Sequence, residues 1–345
     1  IRQRAPGYKA SGLAQKMIDF HLTRRESDAA RTRIVEYSPL FPADSAWFAG
    51  SLERAKEAMI GMLPHQPPGK LNSALHEFSP TLNLMGDEMF FCRSTGGALG
   101  GRETMWQSKL VNGAWAEPTP ITEMASGKNQ SPLSVSADGN RMLFFDDGKI
   151  FVAERDSAEK WHNLGKIGAN LAEFAWVGFT SEVAGGQVLL FEARKTSGSL
   201  TQIYFSKKGK NGLFGSPVAL PPMINTGDEV RSPFLHPDQT TLYFSSKKPG
   251  GRGGLDVYFS KRLDDSWEKW SPPASLGDSI NTGGDDWCYK IPTDGYSAFF
   301  SRAGEKGLTD ILQVGLPAAA RPDEVATKTL EILGDDGQLL DGGEV

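Results

Sequence analysis

Residues 232–245 read Ser232-Pro233-Phe234-Leu235-His236-Pro237-Asp238-Gln239-Thr240-Thr241-Leu242-Tyr243-Phe244-Ser245, and this stretch decides the fold. A short apolar segment headed by Ser-Pro, a turn around Asp238 and a second, aromatic segment make a β-hairpin. An Asp suits the turn because its short side chain can bond backbone N–H groups two residues on. The same order recurs along the chain. Ser131-Pro132 leads through Asp138-Gly139 into Met142-Leu143-Phe144-Phe145, and Ser79-Pro80 leads through Asp87 into Met89-Phe90-Phe91-Cys92. Ser38-Pro39 runs through Pro42 and Asp44 into Ala46-Trp47-Phe48-Ala49. Near the C-terminus Trp287-Cys288 replaces Ser-Pro, ahead of Asp294-Gly295 and Ala298-Phe299-Phe300-Ser301. A degenerate copy combines Ala175-Trp176, Gly185-Gly186 and Val188-Leu189-Leu190-Phe191.

A third aromatic strand follows each pair, at Met105–Lys109, Ile203–Lys207 and Val257–Lys261, with weaker versions at Ile150–Glu154 and Ile311–Val314. A fourth carries Trp115 with Pro118, Phe214 with Pro217, or Trp267 with Pro272, and Ile224-Asn225-Thr226 and Ile280-Asn281-Thr282 close two of the units. Four short strands repeated every ~40–55 residues are the signature of propeller blades. A lone blade cannot bury both faces, so the blades must stack around an axis. The expected fold is therefore all-β, a six-bladed propeller of four-stranded antiparallel blades over residues 33–315. A short helical or extended segment, 1–32, precedes it and offers a ring-closing strand at 16–23. Residues 316–345 read as a linker and the start of a further β domain, with a hairpin around Gly334-Asp335-Asp336-Gly337. Helical spacing is confined to Gly12–Leu22 and Ser51–Met62.

Composition narrows the function classes. The 345 residues hold 37 Lys plus Arg against 42 Asp plus Glu, without the clustered basic excess that phosphate neutralisation needs, so nucleic acid is not an expected partner. With 39% hydrophobic residues the chain has enough apolar surface to fold, yet no run approaches the ~20 residues of a membrane-spanning helix. Ile1 does not open a charged and then apolar leader, so a signal peptide is either absent or removed. Cys92 and Cys288 lie in apolar runs without C-x-x-C spacing and read as buried free thiols.

The repeats resemble the TolB-like (WD40-like) propeller repeat, in the form found in OmpA-family envelope proteins of Bacteroidota. The residues that carry the resemblance are Ser232-Pro233 to Phe244-Ser245-Ser246, Gly253-Gly254-Leu255-Asp256-Val257-Tyr258, Leu276-Gly277, Ile280-Asn281-Thr282, Asp285-Asp286-Trp287 and Asp294-Gly295. It is specific over residues 225–315 and looser over 36–165. The resemblance implies a location in the periplasm, or at the outer membrane facing the periplasm, and a scaffolding or binding role. Fold likeness alone does not establish function.

No G-x-S-x-G elbow occurs, and the five His show no metal-ligand spacing, so neither a catalytic residue nor a metal or other cofactor is expected. Carboxylates or amides precede the first strands, at Glu36, Glu77, Asn129, Glu173, Glu229 and Asp286. Equivalent positions in stacked blades would ring one channel mouth, where they could recruit a cation or simply bond local N–H groups and neighbours such as Arg231. Trp176 and Trp287 stand by irregular first strands and are the better ligand platforms among the tryptophans. These residues, with Arg231 and Asp285, are the expected binding site. The doublets Asp285-Asp286 and Asp228-Glu229 point to opposite faces of a strand, so neither supplies two cooperating acids alone. The expected function is a non-enzymatic docking module for envelope proteins or a cell-wall or surface glycan. The alternative is a propeller-fold carbohydrate-active enzyme, a glycosidase or lyase.

Overall fold

The structure, a computed structural model, describes residues 8–23, 27–60, 63–95, 101–293, 295–304, 307–317, 320–323 and 325. Three helices come first: α1 (Tyr8–Thr23), α2 (Ser27–Tyr37) and α3 (Ser45–Ile60). Ala14, Ile18, Ala30, Ile34, Phe48 and Ala55 bury one another in a core that belongs to these helices alone, at the three-and-four spacing of an apolar helix face. This corrects two expectations. The stretch headed by Ser38-Pro39 is no blade: Pro39 and Pro42 open two single 3₁₀ turns, and α3 follows. From Ser45 to Ile60 the chain has no Pro and is rich in Ala, Leu, Glu, Lys and Arg, whose helix propensity outweighs the aromatic pair Trp47-Phe48. Residues 16–23, expected to close the ring, are likewise helical.

Five blades follow among the described residues, not six. Blade 1 holds β1 (His76–Leu82), β2 (Glu88–Ser94), β3 (Glu103–Val111), β4 (Ala114–Trp115) and β5 (Thr119–Pro120). Blade 2 holds β6 (Gln130–Val135), β7 (Arg141–Asp146), β8 (Lys149–Arg155) and β9 (Trp161–Lys166). Blade 3 holds β10 (Trp176–Val183), β11 (Val188–Arg194), β12 (Gln202–Lys207) and β13 (Val218–Ala219). Blade 4 holds β14 (Val230–Leu235), β15 (Thr241–Ser246), β16 (Asp256–Lys261) and β17 (Ala274–Ser275). Blade 5 has three strands of its own, β18 (Asp286–Lys290), β19 (Ser297–Ala303) and β20 (Thr309–Gly315). Its outer edge is covered from the other end of the chain. His65 and Gln313 exchange both backbone hydrogen bonds at 2.9 Å.

A side-chain clamp fixes that closure. Asn72 accepts from the Ile311 N–H at 2.9 Å and donates to the Ile311 carbonyl at 2.8 Å. Asn225 grips Ile203 in the same way, and Asn281 grips Val257. Leu71-Asn72-Ser73 is thus a third copy of the Ile-Asn-Thr signature, and it places the clasp immediately before blade 1. Each blade interface then buries its own apolar cluster. The last is built by Leu71, Phe91 and Trp115 against Phe299 and Ile311, which joins blade 5 to blade 1. Burying each such aromatic contributes about 1.5–3 kcal/mol, and together they hold the ring.

The Ser-Pro heads have a structural cause. Every first strand carries one extra residue as a β-bulge, and Ser79, Ser232 and Cys288 occupy it with φ of 58°, 54° and 56°. The first strand is the axial edge of its blade, so a Pro without an N–H is tolerated there. In two blades the turn Asp behaves as its chemistry predicts: Asp238 accepts from the Thr240 and Thr241 N–H groups at 2.9 and 2.8 Å, and Asp138 from the Asn140 N–H at 3.0 Å, whereas in blade 1 Asn83 rather than Asp87 accepts from the turn backbone. Asp294 lies outside the described residues, as does the expected hairpin in 316–345. No described helix is long and apolar enough to cross a membrane.

Candidate functional site at the propeller axis

The bulges bring three side chains together on the axis. The Cys288 thiol lies 3.7 Å from Ser232 Oγ and 3.9 Å from Ser79 Oγ. Both cysteines are buried free thiols, and burial pushes the Cys288 thiol up to about 12. That contact divides the axis. One side is the mouth, at the heads of the first strands; the other leads to the hairpin turns.

At the mouth most carboxylates are occupied by architecture. Glu77 is wholly buried, accepts from Ser73 and pairs with Arg93 at 2.7 Å. Asp286 does the same with Thr282 and with Arg302 at 2.5 Å, and burial still leaves its carboxyl raised. Glu229 accepts from Thr201 and pairs with Arg194 at 3.0 Å; despite partial burial, these bonds hold it below the usual carboxylate range. Asp285 caps the Leu255 N–H, and Asn129 that of Glu103. Glu173 is exposed before β10, and Glu36 lies on α2 beside Arg33. The registers explain why these residues form no ring. Glu77 and Asp286 are equivalent, whereas Asn129 and Glu229 sit one residue earlier and Glu173 sits three before Trp176. Among the described residues no three His, Cys, Asp or Glu side chains are grouped to hold a metal.

Trp176, Arg231 and Trp287 do come together. The Arg231 guanidinium lies 5.5 Å from the Trp176 ring and 6.0 Å from the Trp287 ring, and Arg194 approaches Trp176 at 5.3 Å. All three mouth residues are half-buried. Beneath them is a residue that the sequence reading missed. Opposite the bulge, the second strands carry Phe91, Phe144, Phe244 and Phe300; in blade 3 the position is Glu192. The signal is present, but matching Val188–Phe191 to the other second strands sets blade 3 two residues out of step and hides the Glu in an aromatic column.

Glu192 is 0% exposed. One of its oxygens accepts from the Ser232 N–H at 2.5 Å, while Oε1 has no hydrogen-bond partner and lies 3.7 Å from Arg231. The Arg231 Nε is also buried without a partner. Desolvation outweighs Arg231 and raises the Glu192 carboxyl above its ordinary range. Blade 3 also adjusts around it. Its bulge residue is Gly178, where other blades place Ser, Cys or Pro, and a Cβ there would meet both Trp176 and Glu192. A buried acid, two indoles and two guanidiniums at one mouth can stack a sugar face, pair with an anion and supply a proton.

No family model matches the chain, and no curated protein does. Solved structures do. An endo-arabinase from Bacteroides thetaiotaomicron aligns with a TM-score of 0.51 at 12% identity, over 73% of this chain and 98% of that one. The catalytic domain of the Coprinopsis cinerea GH62 α-L-arabinofuranosidase aligns at 0.47 and 8%, over 73% and 95%. A protein assigned as TolB from Agrobacterium tumefaciens aligns at 0.40 and 11%, over 73% and 78%. The likeness to the endo-arabinase is one of fold. The expected non-enzymatic docking module, which rested on the resemblance to envelope proteins and on the absence of catalytic motifs, is corrected at the level of fold: the ring has five blades and aligns along 98% of an endo-arabinase. Further glycoside hydrolases align at TM-scores below 0.5.

Proposed function

We propose that the chain is a carbohydrate-active enzyme that takes an acidic polysaccharide at the axial mouth, with Glu192 as the proton donor. The observation that carries this reading is the replacement of a core Phe by Glu192 in one blade only, with Gly178 clearing space for it. The indoles of Trp176 and Trp287 offer stacking faces. Arg231 recognises a sugar carboxylate, and in turning toward it uncovers Glu192 Oε1. A carboxyl whose hold on its proton is strengthened by burial can then donate to the glycosidic oxygen as the C–O bond breaks, while a water entering the mouth bonds to the anomeric carbon and gives up a proton that restores the acid. Resemblance of the repeats to those of envelope proteins supports a periplasmic location, which cell fractionation tests.

The experiment is a turnover assay on neutral polysaccharides (arabinan, xylan) and acidic ones (polygalacturonate, alginate). It follows reducing ends and the 232 nm absorbance that marks an unsaturated elimination product. Wild type cleaves an acidic substrate; Glu192→Gln loses about 100-fold or more in kcat, and Arg231→Gln raises KM. Absence of turnover across the panel, or an unchanged rate in Glu192→Gln, sinks the reading.

A further inference from the structure

On the far side of the Cys288 layer the axis widens into a cavity of about 570 Å3 at the hairpin turns. Leu82, Leu133, Leu143, Val183, Leu235 and Ile291 make its walls largely apolar. Arg141 also borders it, but that guanidinium is already paired with Glu182 at 3.0 Å and Glu154 at 2.9 Å. The remaining cation is Lys290. It is 5% exposed, lines the cavity, and has neither a hydrogen bond nor an ion pair among the described residues. Its ammonium rests against the rings of Phe179 and Phe234, at 5.5 and 4.9 Å from their centroids. A second buried polar atom at the same wall, Ser181 Oγ, is without a partner.

Glu192 and Cys288 act on this ammonium electrostatically, but only ring faces touch it, and it is poorly solvated because cation–π contact replaces a small part of lost hydration. A carboxylate brought into the cavity would restore a charge-assisted hydrogen bond in a low-dielectric setting, where it is strongest. The walls would receive an apolar body, and the volume lies within the range of small-molecule sites. We propose that this cavity binds an apolar molecule bearing a single carboxylate, which pairs with Lys290 and takes a further hydrogen bond from Ser181. None of Trp176, Glu192, Arg231 or Trp287 lines it, so the cavity is distinct from the mouth.

Calorimetric titration of the whole chain with 4-phenylbutyrate, and with 4-phenylbutan-1-ol as its uncharged counterpart, tests the site. The acid should bind at least ten-fold more tightly than the alcohol. Lys290→Met should abolish that difference while leaving weak apolar binding, and Val135→Trp, which fills the cavity from its wall, should block both ligands. Trp176→Ala, at the mouth, should leave both affinities unchanged, so failure of the sugar reading and failure of this one are distinguishable. Should Lys290→Met not fold, ¹³C-methylation of lysines in the wild-type chain gives a second readout, with a Lys290 methyl resonance that moves with the acid and not with the alcohol. Equal affinity for the two ligands, no binding of either at 10 mM, or discrimination that survives in Lys290→Met overturns the proposal.

Discussion

Gly178 faces Glu192 so closely that a Cβ at position 178 would stand 2.4 Å from the carboxylate Oε1 and 2.2 Å from the outer edge of the Trp176 indole. The glycine is required by space, since its neighbours on both sides are fixed by the blade. Gly178→Ala should therefore destabilise the fold by about 1–3 kcal/mol through overpacking. The same change in a Trp176→Ala background should cost less, because the nearer clash is gone. Urea melts of the four proteins check this. Additive penalties would mean that Trp176 does not lie over Gly178.

Glu192 should also leave a signature in the pH dependence of stability. Burial raises its carboxyl in the folded state, so the folded chain keeps a proton that the unfolded chain releases near pH ~4.3. Stability attributable to this group is full below that value and is lost as pH rises from there through the folded value. Glu192→Gln cannot titrate. Its stability relative to wild type should rise in denaturant melts as pH climbs above the unfolded carboxyl's value, and a difference that stays flat would show that burial does not raise the Glu192 carboxyl in the folded state.

Asn72 fastens the ring closure, because it grips Ile311 as Asn225 grips Ile203 and Asn281 grips Val257. Removing such an amide leaves a buried backbone N–H and carbonyl unpaired. Asn72→Ala should lower stability by about 2–3 kcal/mol, in line with Asn225→Ala and Asn281→Ala. Thermal melts of the three variants decide it; a neutral Asn72→Ala beside two damaging counterparts would place the clasp elsewhere.

These relationships show what the sequence could and could not disclose. The hairpins were legible because Asp138 and Asp238 act through local backbone geometry, while in blade 1 Asn83 takes that part in place of Asp87. The third strands were legible because aromatic alternation has a short period. Blade number was not, since Ser38-Pro39 and Trp47-Phe48 carry the same tokens as a blade while the residues after Asp44 favour a helix. The clasp could have been found: Leu71-Asn72-Ser73 matches Ile280-Asn281-Thr282, and Ser73 bonds Glu77 as Thr282 bonds Asp286. Trp176, Arg231 and Trp287 were singled out on sequence and do converge. Glu192 was missed because a shift of two residues in a period-two pattern keeps every side chain on its proper face and so gives no warning.

Lys290 offers a measurement independent of any ligand. Enclosure among Phe179, Phe234 and the strand backbones lowers its ammonium from the ordinary 10.5 to about 8, chiefly by desolvation. For a base whose folded value is depressed, the unfolded chain binds the proton more tightly, so the penalty is fully present below pH 8 and relieved as pH climbs toward 10.5. At about 1.4 kcal/mol per pH unit, that interval amounts to roughly 3 kcal/mol. Lys290→Met lacks the group, and its stability should exceed that of wild type by most of this amount at pH 7, with the two converging by pH 10.5. Denaturant melts at pH 7, 9 and 10.5 follow the convergence. A gap that holds constant across the series would mean that Lys290 is solvated in the folded chain, and the apolar cavity would then have no unpaired cation to offer an anion.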